Sequence, residues 1–173
     1  LMGGRLDRLP VTSLAGCGST VTMEMQHVTR IFWPEAHKDP EKMARLAIAS
    51  HELGKIENIR IPFDFVVEAE ALGCKVKFGG VESITWTTNQ PYKNPKELEM
   101  PDNILELGRI PVVLKAIRMA REKVGDFLPI SSLIMGPLTL ASLLVGTEKL
   151  LVWIIKEQDY VRAFVDFATD FII

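Results

Sequence analysis

Cysteine is scarce in this sequence, which has only Cys17 and Cys74 among its 173 residues. Two cysteines are too few for a disulfide scaffold, and neither lies in a CxxC or CxH spacing that would predict a zinc site. Their scarcity predicts a reducing compartment, and the cytoplasm is the expected location. No apolar run approaches the roughly 18 residues that span a bilayer, and no signal-peptide pattern opens the chain.

An excess of positive charge is also missing, since 20 Lys and Arg stand against 22 Asp and Glu for a net charge of −2. No dense basic tract occurs, so neither nucleic acid nor a membrane is predicted as a partner. The glycine motifs GxGxxG and GxxxxGK, which bind phosphates, are absent as well. What the chain does have is a 47% hydrophobic composition, which suits one domain with a substantial core.

The most informative stretch covers residues 58–74, where polar and apolar residues alternate over 58–63 and a helical pattern then ends at Gly73. Asp64 falls where the predicted strand ends. In an α/β barrel such a residue lines the mouth of the active site, so Asp64 is the candidate catalytic residue. The alternative is that Asp64 only caps the following helix. On the catalytic interpretation, Asp64→Asn should slow the reaction while folding remains almost intact.

Two glutamates in the same helix are further candidates. Glu68 and Glu70 lie about 200° apart on a helix, so only one can face a pocket together with Asp64. Glu68, four residues after Asp64, is the better neighbour and is predicted to bind substrate. The alternative is that Glu68 is a solvated surface acid.

Three segments have the pattern of barrel-type strands, centred on Ser13, Ile61 and Ile130. The near-continuous apolar run of residues 127–135 is typical of a strand buried on both faces of a parallel sheet. Residues 75–88 instead alternate around Gly79 and Gly80 like an antiparallel hairpin.

Helical patterns occupy much of the rest of the chain. Pro34 is expected to stop the first helix, Asp39 and Pro40 to start the second, and Pro111 to restart a helix as its first residue. The predicted helices cover residues 22–33, 40–54, 66–72, 104–124, 140–145, 148–156 and 159–173.

Strands that alternate with helices indicate parallel βα units. A closed (β/α)₈ barrel needs about 250 residues, so the prediction is a partial TIM barrel, about the first half, with an inserted β-hairpin. The strand ends of such a barrel form one rim, which would place Cys17, Met135 and Gly136 beside Asp64 in an open mouth as substrate-binding residues. Alternatively, Met135 is core filler and Cys17 a small loop residue.

Five segments, in a fixed order, also carry a family resemblance. Together they resemble the uroporphyrinogen decarboxylase superfamily, and within it they are most similar to the methylcobamide:coenzyme M methyltransferases. The segments are RLPV (8–11), WPEAHKDPEKMA (33–44), PFD with EAEALG (62–64 and 68–73), GRIPVV (108–113) and GPLTLA (136–141).

The resemblance separates two activities. It implies that the catalytic aspartate of the decarboxylase corresponds to Asp64, that the arginines binding the substrate carboxylates correspond to His27 and Ile31, and that a pocket tyrosine corresponds to Leu143. Without both arginines the bidentate grip on carboxylates is lost. A decarboxylase-like enzyme of tetrapyrrole biosynthesis therefore stays the alternative, beside a non-catalytic α/β binding module.

The methyltransferase resemblance implies that residues 1–173 are the N-terminal half of one TIM-barrel domain, with no separate second domain. The expected activity moves a methyl group from methylcobalamin on a partner corrinoid protein to a small thiol such as coenzyme M, as in methanogenesis. Zinc is expected in the full-length family, held by a His-x-Cys pair and a distant cysteine that this chain lacks. The missing C-terminal half, or self-association through exposed edges, is the expected further contact.

Overall fold

The computed structural model describes residues 8–13 and 20–173. Helices and short strands alternate through these ranges, which makes the fold a mixed α/β fold. Short 3₁₀ turns at Pro95–Glu97 and Ile104–Glu106 interrupt the long connection before α5. The elements are α1 Met23–Thr29, α2 Trp33–Ala36, α3 Pro40–Gly54, β1 Ile59–Ile61, α4 Val67–Ala71, β2 Val76–Lys77, β3 Trp86–Thr87, α5 Ile110–Val124, β4 Ile130–Ser132, α6 Pro137–Val145, α7 Thr147–Lys156 and α8 Gln158–Ile172.

Strands β1 and β4 pair in parallel, with Ile59 opposite Ile130 and Ile61 opposite Ser132. The prediction that Ile61 and Ile130 lie on neighbouring strands is confirmed. The predicted strand around Ser13 falls partly on residues 14–19, which lie outside the described residues. Ser13 itself is irregular, and its backbone exchanges hydrogen bonds of 3.0 and 3.1 Å with the side-chain amide of Asn58.

Strands β2 and β3 pair antiparallel, with Val76 opposite Thr87 and Lys77 opposite Trp86. Each strand has only two residues, so the pairing covers a small part of the segment that alternates in the sequence. Residues 78–85 connect the two strands and extend well beyond Gly79 and Gly80.

The prediction that residues 127–135 form a strand buried on both faces is wrong. Strand β4 is only three residues long, Ser132 is exposed, and Phe127 and Ile134 are 67% and 58% exposed. A strand becomes buried on both faces only when neighbouring strands and helices cover it. Among the described residues, β4 has β1 as its one strand neighbour, so part of its apolar surface stays uncovered.

The helix starts and ends predicted from proline positions agree with the structure in some cases and not in others. Asp39 caps α3 by accepting hydrogen bonds of 2.9 and 3.0 Å from the amides of Glu41 and Lys42, as predicted. Pro111 is the second residue of α5, one position later than predicted, and the helical pattern predicted before it is only the 3₁₀ turn at Ile104–Glu106. Pro34 was expected to stop a helix, but it lies in the first turn of α2, where its missing N–H costs no hydrogen bond. The preceding helix has already ended at Thr29.

The buried apolar residues form two separate hydrophobic cores. The first packs α3 and α5 against the sheet around Met43, Leu46 and Ile61. The second joins α4 to α6, α7 and α8 around Leu140 and Phe164. The carboxyl end of β1 and the start of α4 lie between these cores.

No single helix within residues 8–13 and 20–173 is long and apolar enough to cross a membrane. Helices α6 and α7 have the length and composition of a membrane span only when they are taken together, and the chain bends by 108° at their junction.

Candidate functional site

Asp64 follows β1 and is buried, with 3% of its surface exposed. Its Oδ2 lies 2.9 Å from Arg109 Nη1 and 3.0 Å from His37 Nδ1. Its Oδ1 accepts a hydrogen bond of 3.3 Å from the amide of Val66. The carboxylate is therefore enclosed by a guanidinium and an imidazole, and it does not open onto a solvent-filled mouth.

The capping alternative for Asp64 receives little support from this geometry. The N-cap position of α4 is Val66, which has no side chain able to cap. The bond from the Val66 amide is long, and the shorter contacts of Asp64 go to residues distant in sequence. Asp64 thus serves mainly to join separate segments of the chain.

Three chain segments meet at this carboxylate. His37 ends the short helix α2, just before Asp39 caps α3, and Arg109 immediately precedes α5.

Gly108 has a positive φ of 51°, and a Cβ atom there would lie 3.1 Å from the backbone nitrogen of Ala71. Only glycine tolerates this close approach without strain, so the α4 backbone packs directly beside the start of α5.

Arg109 links two acidic residues. Its Nε donates a hydrogen bond of 2.5 Å to Glu70 Oε2, and its Nη1 also donates to the carbonyl of His37 at 3.4 Å. With 5% of its surface exposed, Arg109 is buried between the carboxylates of Asp64 and Glu70. Charge-assisted hydrogen bonds of this kind are the strong ones in proteins. We call Asp64, His37, Arg109 and Glu70 the charged cluster.

Glu70, and not Glu68, shares the partner Arg109 with Asp64. The choice of Glu68 as the glutamate that contacts substrate stays a prediction. The prediction assumed that Asp64 and Glu68 lie one helical turn apart. Helix α4 begins only at Val67, so Asp64 lies outside the helix and the helical spacing does not apply. Glu68 points elsewhere, and its Oε1 accepts a hydrogen bond of 3.4 Å from the amide of Met135.

The connection between β2 and β3 covers the charged cluster. The ring centroid of Phe78 lies 4.9 Å from Arg109 Cζ and 4.3 Å from Lys38 Nζ. Thr85 Oγ1 lies 3.1 Å from His37 Nε2, and both residues are buried. Cation–π contacts gain strength when water is excluded, so this cover helps to hold the cluster together.

Burial alone would raise the pKa of Asp64. The interaction with His37 and the positive charge of Arg109 outweigh that effect and lower the pKa from 3.8 to about 2. Asp64 therefore carries a negative charge throughout the neutral and mildly acidic range.

This depressed pKa predicts a loss of stability in acid. Because the pKa is lower in the folded than in the unfolded chain, the stabilisation is complete above the unfolded value of 3.8 and is lost as pH falls towards 2. We expect a loss of about 2 kcal/mol in the free energy of unfolding across this window. Denaturant titrations at several pH values measure it. Asp64→Asn should show a shallower pH dependence, and an identical dependence in the two proteins would contradict the assignment.

Glu68 lies at the edge of a cavity of about 390 Å³. Pro62, which follows β1, and residues 132–134, at the end of β4, also line the cavity. Burial raises the pKa of Glu68, and the negative charge of Asp64 contributes in the same direction. The two acids thus have opposite electrostatic environments although they are only four residues apart.

The other predicted site residues have different positions. Met135 is buried and contacts Glu68 through its amide, and Gly136 follows at the start of α6. Cys17 lies outside the described residues, so its predicted place beside Asp64 stays a prediction. Cys74 is buried, and burial raises the pKa of its thiol to about 11. In the described part of the chain, no three His, Cys, Asp or Glu side chains form a group that could hold a metal ion.

The sequence profile of uroporphyrinogen decarboxylase (URO-D) matches residues 1–173. The chain belongs to the URO-D family. Among its curated relatives, the methylcobamide:CoM methyltransferase MtaA of Methanosarcina barkeri is 39% identical over 98% of this chain and 50% of its own length. A methylated-thiol–coenzyme M methyltransferase of Methanosarcina mazei is 38% identical over the whole chain and 46% of its own length.

A solved structure is also similar to this chain. A methyltransferase from Methanosarcina mazei superposes with a TM-score of 0.91 at 40% identity, over 98% of this chain and 50% of the solved one. The chain therefore spans about half the length of the relatives that it matches.

Two members of the charged cluster, His37 and Arg109, were not predicted as site residues from the sequence, and Glu70 was a candidate that was not chosen. His37, Glu70 and Arg109 all lie in the segments that carry the URO-D resemblance, namely WPEAHKDPEKMA, EAEALG and GRIPVV. Their position in these segments was the available signal. Periodicity could not single them out, because the three residues converge only through the tertiary fold.

Proposed function

We propose that this chain forms the N-terminal half of a TIM-barrel enzyme that transfers a methyl group from a methylated corrinoid protein to a thiol such as coenzyme M. The observation that carries the proposal is the identity of 38–39% to methyltransferases of this class, sustained over 98% or more of the chain. The matched region is 46–50% of each relative's own length, so the proposal concerns the class of reaction that the complete protein carries out.

The positions that correspond to the decarboxylase's substrate-binding residues support the same choice. Ile31 is 5% exposed within the first core, and His27 is exposed and contacts the ring of Phe32. Leu143 packs against the second core. None of these side chains can form the bidentate bonds by which arginine binds carboxylates.

The parallel pair of β1 and β4 supports the barrel architecture. Parallel strands joined by helical crossovers are the repeating unit of a TIM barrel, whose active site lies at the carboxyl ends of its strands. Asp64 and Pro62 follow β1, and Met135 and Gly136 follow β4. The charged cluster would thus lie near the mouth of the complete barrel.

Within this site we assign Asp64 a fixed negative charge that orients groups around it, held in place by Arg109 and His37. Glu68, Met135 and Gly136 are the proposed contacts to substrate, together with Cys17. The described residues do not fit a zinc site. Any zinc ion that activates the thiol, as the resemblance implies, would need ligands from outside this part of the chain.

The proposal is tested with the protein expressed from the complete gene. Methylcobalamin serves as methyl donor and 2-mercaptoethanesulfonate as acceptor, and loss of the free thiol is followed together with the change in the corrinoid absorption spectrum. Methylation of the thiol is the expected result. Release of carbon dioxide from uroporphyrinogen, without thiol methylation, would replace the proposal with the decarboxylase alternative.

A further inference from the structure

We propose that Thr85 is a positioning residue, which acts through His37 to fix the orientation of the Asp64 carboxylate. Thr85 lies in the connection between β2 and β3, outside the segments that carry the family resemblance. The assignment rests on the proposed role of Asp64 in methyl transfer.

Three buried side chains form a line from this connection to Asp64. Thr85 Oγ1 lies 3.1 Å from His37 Nε2, and on the other side of the same ring His37 Nδ1 lies 3.0 Å from Asp64 Oδ2. Thr85, His37 and Asp64 are 3%, 2% and 3% exposed. The imidazole therefore links the hydroxyl to the carboxylate directly.

The chemistry of the two partners determines where the protons of His37 lie. Asp64 is ionised at neutral pH, and a carboxylate oxygen can only accept, so Nδ1 carries a proton that faces Asp64. A hydroxyl both donates and accepts, so Thr85 is a partner for Nε2 with or without a proton on that nitrogen. Because hydrogen bonds in a chain polarise one another, the hydroxyl at Nε2 strengthens the hold of His37 on the carboxylate.

Two phenylalanine rings restrict the imidazole. Its centroid lies 6.1 Å from that of Phe63, which follows β1, and 5.8 Å from that of Phe78, which belongs to the same connection as Thr85. Packing against two rings limits how far the imidazole can tilt. The hydrogen-bond partners of His37 then determine which way each ring nitrogen points.

A second buried contact holds the connection beside α2. Gln26 is fully buried, its Nε2 donates to the carbonyl of Val81 at 3.2 Å, and its Oε1 accepts from the amide of Trp33 at 3.0 Å. Trp33 begins α2 and His37 caps its other end, so Gln26 and Thr85 tie one connection to both ends of this short helix. The fold thus fixes the position of Thr85 relative to His37.

The test compares Thr85→Val, which removes the hydroxyl and keeps the shape, with Thr85→Ser, which keeps the hydroxyl. Thr87→Val makes the same chemical change two residues further along, in β3, and is the matched control. The variants are made in the protein expressed from the complete gene and labelled with ¹⁵N-histidine for long-range proton–nitrogen NMR at neutral pH. The signals of His37 are those that His37→Asn removes.

We expect Nδ1 of His37 to carry a proton in the unmodified protein. The Nε2 resonance should move in Thr85→Val, because that nitrogen loses its partner, and should stay close to its original position in Thr85→Ser and Thr87→Val. A change in the general stability of the hairpin would affect Thr85→Val and Thr87→Val alike.

Methyl transfer from methylcobalamin to 2-mercaptoethanesulfonate measures the consequence for the reaction. Thr85→Val should lower kcat by about 10-fold, because a small misplacement of a site group is costly. The KM for the thiol should not rise, since Thr85 reaches the site only through His37. Thr85→Ser should restore most of the rate, and Thr87→Val should leave it unchanged.

An unprotonated Nδ1, or an Nε2 resonance that is the same in Thr85→Val and Thr87→Val, overturns the assignment. A shift of Nε2 without a loss of kcat also overturns it, since Thr85 would then have a structural role alone. If the unmodified protein methylates no thiol, the proposed function itself fails, and a positioning role in that reaction fails with it however the His37 signals behave.

Discussion

Replacement of Asp64 by asparagine is expected to lower the free energy of unfolding by about 3 kcal/mol at neutral pH, the scale of breaking a buried ion pair. The change leaves Arg109 in place, 5% exposed, with Glu70 as its remaining acidic partner. Because Glu70 remains as a partner of Arg109, we expect the loss of stability to lie at the lower end of the range for breaking a buried ion pair. Chemical denaturation at pH 7 measures the difference.

The matched control is Asp159→Asn, the same chemical change in an exposed ion pair. Asp159 lies 3.9 Å from Arg162, and both side chains are largely in solvent, so no measurable loss is expected. If the two variants lost the same stability, the charged cluster would contribute nothing through its burial.

The sequence alone led us to expect that Asp64→Asn would leave folding almost intact. The burial of Asp64 replaces that expectation.

Phe164→Ala is expected to cost more, about 3–5 kcal/mol, as is usual for removing a buried aromatic ring. Phe164 is fully buried, its ring is stacked on Trp153 at a centroid distance of 5.8 Å, and Tyr92 meets it edge-on at 6.2 Å. Removing the ring leaves a cavity where α8 packs against α6 and α7. Denaturant titration followed by circular dichroism measures the loss.

Phe127→Ala provides the control for the loss of an aromatic ring as such. Phe127 is 67% exposed, so its replacement should change stability by no more than about 0.5 kcal/mol. Phe164→Leu, which refills part of the space, should lie between the two. A loss for Phe164→Ala no larger than for Phe127→Ala would mean that the second core is not packed as described.

The features of the fold that the sequence predicted correctly depend on local signals. A capping aspartate followed by proline fixes the start of α3, because both effects act within one turn of backbone. Pro34 shows the limit of such signals, since proline fits the first turn of one helix as well as the end of another. The burial of β4 could not be predicted in the same way, because burial depends on which segments arrive from elsewhere.

The residues of the candidate site also differ in whether local sequence signals could predict them. Asp64 could be selected from its position after a predicted strand, and the structure places it at the centre of a buried cluster. Its partners His37 and Arg109 are distant in sequence, and no periodicity links them to it. The place of Glu70 in the cluster could not be predicted either, because its partner Arg109 lies 39 residues further along the chain and meets it only in the tertiary fold.

The close approach at Gly108 determines what a protein engineer could move. Because the backbone of residue 108 lies against Ala71 without an intervening side chain, the spacing between Glu70 and Arg109 is a property of two main chains in contact. Copying only the four side chains of the charged cluster into another protein would not reproduce that spacing. A transplant of this site has to carry the glycine and the α4 backbone with it, so the smallest portable unit is a pair of segments and not a set of residues.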